Sequence, residues 1–188
     1  MAVALRRRTF TADEFERMAE AGILGEDERV ELIEGEIVWM SPIGPNHSWC
    51  VKRLNALFAR LGDRVIPSIQ DPIRLHDRLE PQPDVVLVRP DAPRDRHPTP
   101  ADILLVIEVA SSSISVDRDV KGPMYARAGI ADYWIFDLDA YCLLVLREPS
   151  ADGYRVVRVF ARGQQVAPLF APDFPVDVAE ILGTPDGD

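Results

Sequence analysis

The chain has 188 residues, of which 47% are hydrophobic, and this is enough for one domain with a buried core. Its 31 acidic residues outnumber its 21 basic residues, and the net charge of -10 excludes a generally basic surface for nucleic acid or anionic membranes. Two cysteines make no disulfide framework, and no apolar run approaches the ~20 residues of a membrane span, so we predict a cytoplasmic protein without membrane contact.

The first third of the chain has the pattern of a helix, a hairpin and a second helix. The capping-box sequence TADE at 11–14 predicts a short helix that runs to about Ala21. The segment VELIEGEIVWMSP from Val30 predicts two short strands joined by a tight turn. Asn46 is a plausible N-cap for the second helix, which should end at Gly62.

The rest of the chain contains mostly strand patterns. The predicted strands are residues 65–69, 73–75, 85–88, the stretch LLVIEVA at 104–110, YWIFD at 133–137, and a terminal hairpin formed by 141–146 and 154–160. A proline-rich charged loop covers 89–102, and a helix is expected from about Asp117 to Ala128. Pro123 lacks a backbone N–H, so we expect a kink or an irregular turn there. A last short helix is predicted near 178–182.

The order of these elements predicts an α/β fold with α+β character. A mixed β-sheet should be flanked by helices and preceded by the N-terminal helix and hairpin. No internal repeat or linker divides the chain, so we predict a single domain over residues 1–188. Its core would span about 27–160, with a C-terminal tail at 161–188.

One acidic residue, Glu108, interrupts the apolar strand at 104–110. Moving an ionised carboxylate out of water is costly unless it is paired, hydrogen-bonded or bound to a metal. Asp84 begins the apolar strand VVLV, 24 positions earlier, and neighbouring strands would bring the two carboxylates together. Their repulsion would be removed by a divalent cation such as Mg²⁺. Alternatively, each carboxylate is structural and bonds to backbone or to an arginine.

A lysine, Lys121, follows Glu108 by 13 positions on the predicted helix. Asp117, Lys121 and Tyr125 share one helix face, which could face the strand end that carries Glu108. Two carboxylates and one lysine are the set that metal-assisted phosphodiester hydrolysis requires. Alternatively, Asp117 and Lys121 form a solvent-exposed ion pair that contributes little to stability.

These residues resemble the PD-(D/E)XK nuclease superfamily, and most closely its Uma-type putative restriction endonuclease family. The matching segments are Pro83-Asp84 with the strand that follows, IEVASSS from 107, DRDVK at 117–121, YARAGIADYWIFD at 125–137, and VELIEGEIVWMSP from 30. The resemblance covers about residues 27–140. In the superfamily pattern the lysine lies two residues after the acid, where this chain has Ala110. Lys121 is matched to a lysine that the Uma-type branch carries on the following helix.

The resemblance implies a restriction-endonuclease-like core and a metal-dependent endonuclease that hydrolyses DNA by in-line water attack. Asp84 and Glu108 would bind Mg²⁺ or Mn²⁺, with the backbone carbonyl of Val109 as a third ligand. Lys121 would act on the attacking water. Duplex DNA is the expected substrate, and a homodimer is expected because two strands need two active sites.

Two weaker candidates lie in the N-terminal third. His47, in the first turn of the second helix, matches a histidine of the family and could contact a phosphate or position a water, or could simply be a capping residue. One of the hairpin glutamates, Glu31, Glu34 and Glu36, could add a third carboxylate. Strand alternation places Glu31 and Glu34 on opposite faces, and we favour Glu31.

The acidic composition leaves two other functions open. The chain could be a non-catalytic module of the same fold that binds nucleic acid or protein. It could also be a metal-dependent hydrolase of a small phosphorylated molecule, which would suit an acidic surface better. A DNA substrate would require basic residues gathered locally around the site, because phosphate contacts supply most of the affinity for DNA.

Overall fold

A computed structural model of the protein describes residues 7–25 and 27–183, so both ends of the predicted domain lie outside the described residues. The helices are α1 (Ala12–Glu20), α2 (Pro45–Ala59), α3 (Ile114–Val116), α4 (Gly122–Arg127) and α5 (Val178–Leu182). The strands are β1 (Val30–Ile33), β2 (Glu36–Trp39), β3 (Ile66–Ile69), β4 (Val85–Val88), β5 (Ile103–Ala110), β6 (Asp132–Asp137), β7 (Cys142–Ser150), β8 (Gly153–Ala161), β9 (Gln165–Val166) and β10 (Val176–Asp177). Within those described ranges, no helix has the length and hydrophobicity that crossing a membrane would need.

The central feature is a six-stranded mixed sheet with the order β3-β4-β5-β6-β7-β8. Strands β5 and β6 are parallel, and the other neighbouring strands are antiparallel. A parallel pair needs a crossover connection, and the helical segment from α3 to α4 supplies it. The mixed sheet with flanking helices, preceded by a helix and a hairpin, confirms the predicted fold class.

The sheet separates two hydrophobic clusters. Helices α2 and α5 pack on one face, and α4 packs on the other. Along β5, Leu105, Ile107 and Val109 belong to the α2 side, whereas Val106 and Ala110 belong to the α4 side. Because side chains alternate along a strand, Glu108 points to the α4 side. The crossover helix is therefore the element that can meet its carboxylate.

The N-terminal hairpin forms as predicted, with β1 and β2 antiparallel around Glu34-Gly35. Gly35 has a φ of 82°, and a Cβ atom there would lie 2.7 Å from the Cβ of Thr9, so glycine is required. Leu32 exchanges backbone hydrogen bonds with Glu80 in both directions. This contact fixes the hairpin beside the segment that leads into β4.

Two local predictions were wrong. Helix α2 begins at Pro45 with Gly44 as its N-cap, because proline at the first helical position has a pre-set φ, and Asn46 lies inside the first turn. Residues 73–75 form no strand, although Ile73 is fully buried. The N–H groups of Ile73 and Arg74 donate instead to the carbonyls of Pro81 and Pro98, so their hydrogen bonds go to loops and not to a neighbouring strand.

The crossover helix contains the predicted irregular turn. A π-helical turn spans Asp117–Lys121 between α3 and α4, and the N–H of Gly122 donates to the carbonyl of Asp117, five residues earlier. Pro123 cannot donate to the preceding turn, which accounts for the irregularity at this place. The hydroxyl of Tyr133 on β6 donates to the same Asp117 carbonyl at 3.0 Å. This hydrogen bond ties the π-helical turn to the sheet.

Helix α2 should depend on its buried face for its position on the sheet. We expect Leu54→Ala to lower the free energy of unfolding by about 2–5 kcal/mol, because Leu54 is fully buried and its removal leaves a cavity. The neighbouring Asn55→Ala is the control, because Asn55 is exposed on the same helix. Urea denaturation measures both variants, and equal losses would contradict the described packing of α2.

Candidate active site

A cavity of about 220 Å³ opens between the hairpin exit and the carboxyl end of β5. Besides Arg29, six ionisable residues line it: Glu31, His47, Asp84, Glu108, Asp117 and Lys121. They come from β1, α2, the start of β4, β5 and the π-helical turn. The structure therefore brings every side chain of the predicted site into one cavity, and it adds Asp117.

The carboxylate of Glu108 is satisfied from three directions although the residue is only 3% exposed. The Lys121 ammonium donates to Oε1 at 3.2 Å, and the Tyr125 hydroxyl donates to the same oxygen at 3.0 Å. The backbone N–H of Asp84 donates to Oε2 at 3.2 Å. Burial raises the pKa of Glu108 to about 8; Lys121 opposes this effect, whereas Asp84, Asp117 and Glu31 reinforce it.

Asp84 is held by a second set of donors. His47 Nε2 lies 2.9 Å from Oδ2, the N–H of Val109 donates to that oxygen at 2.9 Å, and Gln70 donates to Oδ1 at 3.3 Å. Burial alone would raise the pKa of Asp84, but the hydrogen bonds and the charge of His47 lower it. The N–H and carbonyl of one residue in a regular strand point toward the same edge, so strand geometry directs the carbonyl of Val109 to the β4 side of β5, where its N–H contacts Asp84.

Lys121 bridges two of the carboxylates. Its Nζ lies 3.2 Å from Glu31 Oε2 and 3.2 Å from Glu108 Oε1, and Glu31 Oε2 also accepts the N–H of Gln82 at 3.1 Å. Burial would lower the pKa of Lys121, but the surrounding carboxylates raise it further than burial lowers it, so the ammonium keeps its proton. Asp117 and Lys121 are both buried, which excludes the solvent-exposed ion pair.

Two residues of the site were missed in the sequence. Asp117 lines the cavity, and the hydroxyl of Ser113 donates to its carboxylate at 2.9 Å. Burial raises the pKa of Asp117, although Lys121 opposes this effect. Its spacing of four residues from Lys121 was the available signal. Gln70 has a positive φ of 54°, and its contact with Asp84 leaves no signal in the sequence pattern.

The hairpin glutamates separate, although strand alternation is not the cause: Glu34 lies in the turn with a φ of 50°, and Glu36 pairs with Ile33, which is on the same face of β1 as Glu31. Glu31 lines the cavity, whereas Glu34 pairs with Arg127 and Glu36 pairs with Arg7 at the surface. Within the described residues, Glu31 is thus the hairpin carboxylate at the site.

The donor set fits a hard cation. Four buried carboxylates face one lysine and one histidine, so the cavity has a surplus of negative charge when the carboxylates are ionised. No three of these carboxylates bring their oxygens within 4.8 Å of one another. Mg²⁺ commonly uses one or two carboxylates and completes its coordination with water or phosphate, so a cation at this site would not need a third carboxylate.

A second group of metal-ligand type lies elsewhere. Glu16, Glu80 and His97 have ligand atoms within 4.8 Å of one another. The guanidinium of Arg74 already lies between the two carboxylates, with Nη2 2.6 Å from Glu16 and Nε 3.1 Å from Glu80. This group is therefore explained as an ion-pair network.

Comparison with known proteins gives the family. The sequence model of the Uma2 family, described as "Putative restriction endonuclease", matches residues 12–179. The fold is similar to that of a crystal structure described as a putative nuclease from Anabaena variabilis, with a TM-score of 0.69 and 20% identity, covering 92% of this chain and 97% of that chain. None of the curated proteins compared matches the chain. The chain therefore belongs to the Uma2 family, as its sequence motifs indicated.

Proposed function

We propose that the protein is a metal-dependent endonuclease that hydrolyses phosphodiester bonds of DNA. The observation that supports this most strongly is the direct contact of Lys121 with Glu108, next to Asp84, in one buried and acidic cavity. A lysine alone could be the structural partner of one buried carboxylate, but here four buried carboxylates line the same cavity as this one lysine. The description of the Uma2 family is consistent with this proposal.

Asp84, Glu108 and the backbone carbonyl of Val109 would hold the cation, with Mg²⁺ or Mn²⁺ as the proposed ion. A cation bound there supplies a polarised phosphoryl oxygen and a water of lowered pKa. His47 would hold the Asp84 carboxylate in place through the 2.9 Å contact of its Nε2. Val109 contributes a second hydrogen bond to the same carboxylate oxygen.

Lys121 would act as a donor and not as a base, because its ammonium keeps its proton. Glu31 and Glu108 fix the position of that ammonium. In this role Lys121 orients the attacking water and stabilises the negative charge that develops on the phosphoryl oxygens. The attacking water would form the new P–O bond and release a proton to solvent, while the P–O bond on the opposite side breaks and the leaving oxygen takes the electron pair and a proton.

The acidic charge favours one alternative, a small phosphorylated substrate. The net charge is -10, and the cavity is lined by few cationic side chains. A non-catalytic module is less well supported, because Asp84, Glu108 and Lys121 are all present and meet in space. The homodimer, duplex DNA as substrate, the single domain and the cytoplasmic location stay predictions.

The cation proposal predicts the behaviour of Glu108→Gln. Removing this ligand should weaken Mg²⁺ or Mn²⁺ binding by more than the ~10–100-fold typical of losing a residue that only supports a ligand, and should abolish plasmid cleavage. Isothermal titration calorimetry and a cleavage assay on the same samples measure the two effects. Glu34→Gln, an exposed position on the hairpin, is the control. Unchanged metal binding in Glu108→Gln would overturn the assignment of this ligand.

The role of Lys121 can be tested by its own substitution. The chain has one other lysine, Lys52, which is exposed and serves as the control. Lys121→Met should still bind the cation and should cleave about 10²–10³-fold more slowly, the loss seen when one charge-stabilising donor is removed. Without metal, this variant should unfold at a lower temperature, because Glu31 and Glu108 lose their buried partner, and Mg²⁺ should restore much of the loss.

Lys52→Met, at the exposed lysine, should leave cleavage and the metal response unchanged. Wild-type turnover in Lys121→Met would assign the chemistry to another residue. Calorimetry, a cleavage time course and thermal melts with and without Mg²⁺ give the three readouts.

A further inference from the structure

The mouth of the active-site cavity differs in chemistry from its floor. One wall is the hairpin exit, where Trp39, Met40, Pro42 and Ile43 line the opening. The serine segment 111–113 and Val116 also line the opening. Trp39 is 71% exposed, and Ile43 and Val116 are also exposed. The mouth therefore presents aromatic, aliphatic and hydroxyl groups above an acidic floor.

Cationic groups are sparse at this opening. Of the residues that line the cavity, Arg29 and Lys121 are the two that carry a permanent positive charge. Arg29 donates to the carbonyl of Ser41, and Lys121 is engaged by Glu31 and Glu108. Proteins that grip the duplex through its backbone neutralise several phosphates with lysine and arginine. Among the described residues, the mouth therefore offers few groups for that mode of binding.

We infer that the mouth binds an unpaired nucleotide of single-stranded DNA, with its base stacked on the indole of Trp39. This inference rests on the proposed function and narrows its substrate to DNA whose strands are separated at the site. Proteins that bind single strands combine cationic contacts to the backbone with aromatic side chains on which bases stack, and every base can stack because each has a π-face. Where few cations are available, stacking on Trp39 would carry a larger share of the binding than it could for a duplex, whose bases are already stacked on one another. The flanking phosphate would then face Lys121 and Arg29, and the serine hydroxyls could donate to it.

The chain offers a matched control for Trp39. Trp49 on α2 is also exposed, at 56%, but it is not among the residues that line the cavity. The guanidinium of Arg53 lies over its ring, 5.4 Å from the centroid. An exposed tryptophan next to an arginine could stack on a base wherever it lies on the surface. Comparing Trp39 with Trp49 therefore separates binding at the cavity from nonspecific stacking on an exposed indole.

The test measures binding of a labelled oligothymidylate and of the matching blunt dT·dA duplex by fluorescence anisotropy, using the full chain without added metal. The wild type should bind the single strand more tightly than the duplex. Trp39→Ala should weaken single-strand binding roughly tenfold, within the range of one lost base stack. Trp39→Phe should retain most of the affinity, and Trp49→Ala should match the wild type. Circular dichroism checks that each variant is folded.

The inference is overturned if Trp39→Ala binds the single strand as the wild type does, or if the duplex binds at least as tightly as the single strand. Failure of the inference and failure of the proposed function are distinguishable. If the protein cleaves DNA with metal but Trp39→Ala binds single strands as the wild type does, the stacking inference is contradicted and the nuclease proposal stands. If single-strand binding depends on Trp39 but the protein neither binds metal nor cleaves DNA, the stacking inference is supported and the nuclease proposal is contradicted.

Discussion

The burial of the Glu108 carboxylate is the constraint on which the rest of the site depends. A charged group in the middle strand of a sheet must be satisfied by partners that approach from other elements. The parallel pairing of β5 and β6 requires a crossover helix, and that helix brings Lys121 and Tyr125 to the carboxylate. The hairpin adds Glu31 on the other side of Lys121. The buried carboxylate of Glu108 is thus the point at which strand β5, the crossover helix and the hairpin meet in a single cavity.

The hydrogen bonds and ion pairs of the site leave part of its negative charge uncompensated in the metal-free protein. Lys121 and His47 compensate the carboxylates in the metal-free protein, but four buried acids still share these two partners. Burial raises the pKa values of Glu108 and Asp117, which shows that their charged forms are held at a cost. A bound cation would relieve this cost, so the affinity for metal would come from the same burial that destabilises the apo site. Such conflicts between stability and local rules are typical of functional sites.

Parts of the fold and of the site were predictable from the sequence where one residue interrupts or completes a local pattern. Glu108 was visible because it interrupts an apolar strand, whereas alternation could only say that Glu31 and Glu34 would not both face the site. The capping box and the turn at Pro123 are local signals, and both were confirmed. The contact of Gln70 with Asp84 depends on how β3 and β4 pair, and the N-cap at Gly44 depends on Pro45 overriding Asn46. The contact of Gln70 is tertiary and one sequence does not contain it, whereas Pro45 is a local signal that the sequence did contain.

The central claim is that one cation lies between Asp84 and Glu108. The most direct measurement is anomalous diffraction from crystals of the protein grown with Mn²⁺. The account predicts a strong anomalous peak about 2.0–2.2 Å from oxygens of both carboxylates, the distance typical of small divalent cations in oxygen sites. Lys121 should then have moved away from Glu108 or share it with the ion. A peak confined to Glu16, Glu80 and His97, or no peak in the cavity at saturating Mn²⁺, would contradict the claim and leave Glu108 as a structural carboxylate.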